Sequence, residues 1–192
     1  MKNNNELIET LNDLVRINND RITGYERAAE LTRSADVDLA TLFRKMADES
    51  RTYKGELQQE VAGLGGKIAT DTTASGKIYR AWMSVKNMFT GSDRKSILAS
   101  CEFGEDAVQK AYQHALISDQ SLSIDIRKFI ENQKESLKAS HDTIKRFRDL
   151  QRQSESDDII NSNNLRNSKD DLRRETSVSD DKKSGSGSLR NL

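Results

Sequence analysis

The stretch Leu98–Leu116, LASCEFGEDAVQKAYQHAL, decides the fold. Leu98, Cys101, Val108, Tyr112 and Ala115 recur at helical steps, which line side chains up on one face of an α-helix. Between Cys101 and Val108 that face carries Glu105, a carboxylate where an aliphatic residue is expected. Three roles suit it: metal ligand, catalytic acid, or one member of a buried polar network.

The rest of the chain supports the helical reading. Its 192 residues suit one domain with a tail, and they contain no proline and only ten glycines. Helix interiors reject proline, whereas β-rich folds with many turns use several. The fold class is all-α. Acidic and basic residues balance at 31 each, which leaves no electrostatic drive towards nucleic acid or an acidic membrane surface. A single cysteine, Cys101, excludes an internal disulfide and a cysteine-based zinc site, and its place on the stripe predicts a buried thiol. The opening MKNNNELIETL lacks the apolar centre of a signal peptide, and no apolar run approaches the ~18 residues of a membrane span. A cytoplasmic location is expected.

Four long helices can be placed outward from this stretch. Over residues 6–31, Ile8, Leu11, Val15, Asn18, Ile22, Tyr25 and Ala29 form a narrow stripe. Asp36 then stands as an N-cap before a second helix with Leu39, Phe43, Met46, Ser50, Tyr53, Leu57 and Val61 on its stripe. That helix ends at LGGK, where Gly65 or Gly66 supplies a left-handed cap. The short link makes the first two helices antiparallel neighbours. Residues 65–93 read as a long crossover carrying a short helix with Ile78, Trp82, Val85 and Phe89 on one face. The third helix is capped by Ser92 or Asp93 and runs to about Ile117; the fourth runs from about Ser121 to Leu150, with Ile130, Gln133, Leu137, Ser140 or His141, and Ile144 facing inward. Two antiparallel hairpins joined by one crossover is the ferritin-like arrangement of a four-helix bundle. The bundle should fill residues 1–151. Residues 152–192, rich in Ser, Asn, Asp and Lys, should form a disordered polar tail.

LNDLVRINNDRITGYERAAE, LFRKMADESRTYKGELQQEVAGLGGK, AWMSVKNMFTG and LASCEFGEDAVQKAYQHAL together resemble an uncharacterised bacterial family of ferritin-like four-helix-bundle proteins. The resemblance spans roughly residues 5–150. It implies a ferritin-like fold, a bacterial source and, through the fold, a stress-related setting; it implies no activity.

A ferritin-like di-iron site needs one Glu from each of two helices and a Glu-x-x-His pair from each of the others. Glu26, with either Glu102 or Glu105, can supply the single carboxylates. Glu49 is followed three residues on by Thr52, and His141 is preceded by Lys138, so both pairs are incomplete. Antiparallel register adds a height test. It sets Glu49 level with Asp20 and about 9 Å from the level of Glu26, at roughly 1.5 Å per residue. It also sets Glu105 level with Lys134 and His141 level with Leu98.

A mid-bundle polar layer accounts for the pattern better. Asn18, Ser50, Glu105 and Gln133 each sit near the middle of a different stripe. The amides of Asn18 and Gln133 are the donors expected to satisfy Glu105, because an unpaired buried carboxylate costs several kcal/mol. The expected function is a non-enzymatic interaction protein, a homo-oligomer such as a dimer or the binder of a protein partner, needing no cofactor. The alternative is binding of iron or another divalent metal, or ferroxidase-like chemistry, through Glu49, Glu105, Glu26 and His141. Tyr25, Tyr53 and Tyr112 read as core aromatics with hydrogen-bonded hydroxyls, and His114 as a surface residue.

Overall fold

With no proline to stop them, the helices run long. A computed structural model describes residues 2–70, 94–118 and 122–184, and among these it contains four helices and no strand. They are α1 (Lys2–Thr32), α2 (Val37–Gly63), α3 (Arg94–Ser118) and α4 (Ile124–Ser184). The expected crossover helix around Trp82, and the caps at Ser92 or Asp93, lie outside the described residues.

Local chemistry sets the α1–α2 corner. The Asp36 carboxylate accepts the Leu39 amide at 2.9 Å and caps α2. At its other end, Gly65 takes φ 74°. Gly66 N–H bonds to Val61 O, and Gly65 N–H to Ala62 O, both at 2.9 Å, the paired closure of a Schellman cap. Gly66 has a different reason to be glycine: a Cβ there would lie 2.7 Å from Ile8 Cγ2. Buried Asn12 then ties the departing chain to α1. It donates to Lys67 O at 2.9 Å and accepts from Ala69 N at 2.8 Å.

Side-chain bonds fix the helix directions. Asn18 reaches Tyr112 and Tyr25 reaches Glu105, so α1 and α3 are antiparallel. Glu56 meets Gln133, Tyr53 meets Ser136 and Glu49 meets Ser140, so α2 and α4 are antiparallel too. Tyr112–Gln133 and Asp106–His141 give the same sense for α3 and α4. It follows that α2 and α3 run in the same direction.

The core is divided in two. One apolar cluster holds Leu7, Leu11, Leu14, Leu57, Val61, Val108, Ile130 and Leu137; the other holds Tyr25, Ala29, Leu39, Phe43, Ile97, Leu98, Cys101 and Ile144. Between them lie the buried polar side chains of Arg21, Ser50 and Glu105. The buried face of α1 is wider than its expected stripe, since it also takes in Leu7, Leu14, Ile17, Arg21 and Ala28.

The chain divides into two units, Met1–Arg148 and Asp149–Leu192. Here the structure departs from the expected disordered tail from 152 onward, because helical backbone continues to Ser184. Residues 149–184 contain neither glycine nor proline, so nothing in the chain interrupts the helix before Gly185. Apart from half-buried Glu155, residues 152–169 are exposed, including Ile159, Ile160 and Leu165.

Candidate functional site

Arg21 occupies the centre of the polar zone, fully buried. Its Nε donates to Glu105 Oε1 at 2.7 Å. Its Nη1 donates to Ser50 Oγ at 2.6 Å, Glu49 Oε2 at 3.0 Å and Met46 O at 3.1 Å. The guanidinium carbon lies 5.0 Å from the centre of the Tyr25 ring, and the Tyr25 hydroxyl donates to the same Glu105 oxygen that Arg21 uses. One cation thus joins α1 to both α2 and α3. Guanidinium suits the role because its planar fork of donors serves several acceptors at once and it keeps its charge when buried. Burial alone would lower its pKa, but Glu105, Tyr25 and Glu49 together reverse the direction and raise it.

Glu49 carries the network outward to α4. Its side chain is 22% exposed. Ser140 Oγ donates to Oε2 at 2.8 Å and Ser136 Oγ to Oε1 at 3.2 Å. Tyr53 has one hydroxyl hydrogen, and its shorter contact is to Ser136 Oγ at 2.6 Å, not to Glu49 at 3.3 Å. Desolvation, the leading cause, raises the Tyr53 pKa. Burial likewise pushes up the Tyr25 hydroxyl and the Cys101 thiol, with the Glu105 charge adding to both shifts. Cys101 is therefore an inert core thiol.

A second buried set lies towards the Leu11–Leu137 cluster. Asn18 Nδ2 donates to Tyr112 OH at 2.8 Å and to Leu14 O at 2.9 Å. Tyr112 OH donates to Gln133 Oε1 at 2.9 Å, and Gln133 Nε2 to Glu56 Oε2 at 2.7 Å. The four residues of the expected polar layer are all buried, yet they divide between two levels. Ser50 and Glu105 belong to the Arg21 set, while Asn18 and Gln133 belong to the Tyr112 set. The amides are not the donors to Glu105.

The cause is register. The pairing of α3 with α4 is shifted along α4 relative to the Glu105–Lys134 level expected from sequence. Gln133 consequently meets Tyr112, and His141 meets Asp106 instead of lying level with Leu98. The α4 residue at the Glu105 level is Ser140. Arg21 itself was missed because a stripe drawn through apolar residues passes from Asn18 to Ile22. Two signals pointed to it: it lies three residues from Asn18 and four from Tyr25, and it adjoins Asp20, the residue the first hairpin sets level with Glu49.

The four expected metal ligands do not assemble. Glu105 and Glu49 face one another across the Arg21 guanidinium. Glu26 is exposed and pairs with Arg51. His141 has both ring nitrogens engaged, Nε2 with Asp106 and Nδ1 with Asp142, each at 3.0 Å. Among the described residues no cluster of three or more His, Cys, Asp or Glu side chains is placed to hold a metal ion. A di-metal centre does not fit this donor set, because a fixed cation stands between its two inner carboxylates.

The polar zone and the register of the helices that build it lie largely within a segment matching a known family model. Residues 6–118, more than half the chain, match the family described as Domain of unknown function (DUF2383). The chain belongs to that family. No curated protein matches the chain. None of the described helices is long and apolar enough to cross a membrane.

Proposed function

We propose that the chain is a non-enzymatic helical bundle of ferritin-like arrangement that works by association, with itself or with a protein partner. One observation carries this reading: the Arg21 guanidinium lies buried between Glu105 and Glu49. A charged side chain so placed supplies the counter-charge that a metal would otherwise bring, and it cannot leave as substrate or product. The interior is then a device for holding three helices in register, and recognition falls to the surface. Buried polar groups can serve such specificity where apolar contacts cannot.

Two further features support the reading. The parallel sense of α2 and α3 is the order that two hairpins joined by a crossover require. Apolar side chains also stand exposed, with Phe103, Ile117 and Ile124 on the bundle and Ile159, Ile160 and Leu165 on the second unit. A helix that buries so little of itself is marginal alone and gains most from a partner. A bacterial cytoplasm is the proposed setting.

Light scattering on the full chain, with and without chelator, together with metal analysis of protein purified without chelator, tests the proposal. The expected result is a defined oligomer of unchanged mass in both conditions, with substoichiometric metal. A strictly monomeric species that captures no protein partner, or stoichiometric metal whose removal changes the oligomer, would overturn it.

A further inference from the structure

A groove of about 240 Å³ opens between α2 and α4, on the outer side of the Arg21 network. Its floor holds the exposed part of Glu49, and its α4 wall holds Ser136, Ser140 and Thr143. Every one of these hydroxyls spends its hydrogen within the protein. Ser140 and Ser136 donate to Glu49, and Thr143 donates to Ala139 O at 2.8 Å. A hydroxyl has one hydrogen and two lone pairs, so all three present only acceptors to whatever enters.

The carboxylate also has capacity left. Glu49 Oε2 takes Arg21 and Ser140, but among the described residues Oε1 takes Ser136 alone once the Tyr53 hydrogen goes to Ser136. The charge count runs the same way. A single guanidinium faces two carboxylates, Glu105 and Glu49, so the set carries one negative charge in excess and Glu49 is its accessible end. The remaining walls are Leu42, Met46 and Ala139, which offer contact to methylene groups and nothing to a hydrated ion. Lys45 lies at the edge, exposed, as the protein's own competing cation.

We infer that this groove binds a short aliphatic primary amine, its ammonium on Glu49 and the α4 hydroxyl oxygens and its alkyl chain along Leu42, Met46 and Ala139. An ammonium brings three N–H donors to a lining that only accepts, and its chain uses the walls that a metal ion would leave idle. The site is separate from the association reading and stands or falls without it.

The test is a titration of the full-length protein with n-butylammonium, followed by amide chemical shifts. n-Butanol serves as the control for the chain, tetramethylammonium for charge without N–H, and calcium for a bare cation. The expected result is saturable binding, with a Kd on the order of 1 mM and shifts centred on residues 42–53 and 136–143. The controls should bind roughly tenfold more weakly or not at all. Glu49→Gln should weaken binding roughly ten- to hundredfold, since it removes the charge and keeps the shape. Ser140→Ala, which leaves the Arg21–Glu49 contact in place, should weaken it less, and Lys45→Met should tighten it. No saturable binding to the wild-type protein would overturn the inference. So would equal binding of calcium or tetramethylammonium, or unchanged affinity in a folded Glu49→Gln or Ser140→Ala variant.

Discussion

At the level of Arg21 the bundle buries formal charge; at the level of Tyr112 it buries neutral dipoles. Both levels link helices through side chains of near-zero exposure. The neutral chain of Asn18, Tyr112 and Gln133 passes hydrogen bonds in one direction and ends on half-buried Glu56. Losing one link there strands an amide or a hydroxyl. The ionic level is arranged differently, because one side chain, Arg21, bonds to Glu105, Glu49 and Ser50 together. Losing Arg21 strands Glu105, whose one other bond among the described residues runs from Tyr25. The two levels should therefore differ in how much a single substitution costs and in whether a second substitution repairs it.

Arg21→Met should produce the largest effect. Breaking a buried pair leaves an uncompensated charge and costs about 3–5 kcal/mol, which denaturant unfolding measures directly. A cost under about 1 kcal/mol would mean that water already solvates Glu105. At the neutral level, Tyr112→Phe removes one hydrogen-bonded hydroxyl and leaves Asn18 and Gln133 short of a partner. The expected loss is about 1–3 kcal/mol by the same measurement. Equal losses for the two variants would erase the distinction between the levels.

Alkaline pH reads both levels at once. Burial holds Cys101, Tyr25 and Tyr112 protonated in the folded chain well above the ordinary values of 9.0 for the thiol and 10.0 for the phenols. Above those values the unfolded chain binds fewer protons than the folded one, so stability falls as pH rises. Each group contributes about 1.4 kcal/mol per pH unit beyond its ordinary pKa until its folded pKa is reached. Unfolding free energies between pH 8 and 11, at roughly half-unit steps, should bend downward first near the thiol value. Cys101→Ala should move that onset up to the phenol range, whereas Tyr112→Phe should leave it in place and reduce only the later slope. An unchanged onset in Cys101→Ala would place the thiol in water.

The smallest effect belongs to the surface. Glu26 and Arg51 pair with about half of each side chain exposed. Glu26→Gln should change stability by less than about 0.5 kcal/mol and leave metal content unaltered. A larger loss, or a change in bound metal, would return Glu26 to the interior chemistry it was first considered for.

The sequence carried the helices and their caps more fully than it carried the site. Asp36 and Gly65 act locally, within a few residues of the chain ends they close, so their chemistry is visible without tertiary structure. Asn18, Ser50, Glu105 and Gln133 were visible as polar breaks in apolar stripes, and each is buried. Their grouping was not visible, because it depends on helix register. A shift in the pairing of α3 with α4 moved Gln133 from Glu105 to Tyr112. Arg21 was hidden for a different reason. A long cation normally marks a solvated face, and only the two carboxylates contributed by other helices make its burial favourable. The exposed helix beyond residue 151 marks the converse limit. Composition reports that the segment lacks a core to join, but not that its backbone, free of Gly and Pro, is helical to Ser184.

A double-mutant cycle between Arg21 and Glu105 tests the ionic level most directly. Unfolding free energies are needed for the wild type, Arg21→Met, Glu105→Leu and the combined variant. If one guanidinium neutralises Glu105 in the core, Arg21→Met strands that carboxylate, Glu105→Leu leaves Arg21 on Glu49, and the combined variant strands neither group. The combined variant should then be more stable than Arg21→Met, with a coupling of about 2–3 kcal/mol. Additive losses, with the combined variant the least stable of the four, would contradict a buried Arg21–Glu105 pair at the centre of the bundle.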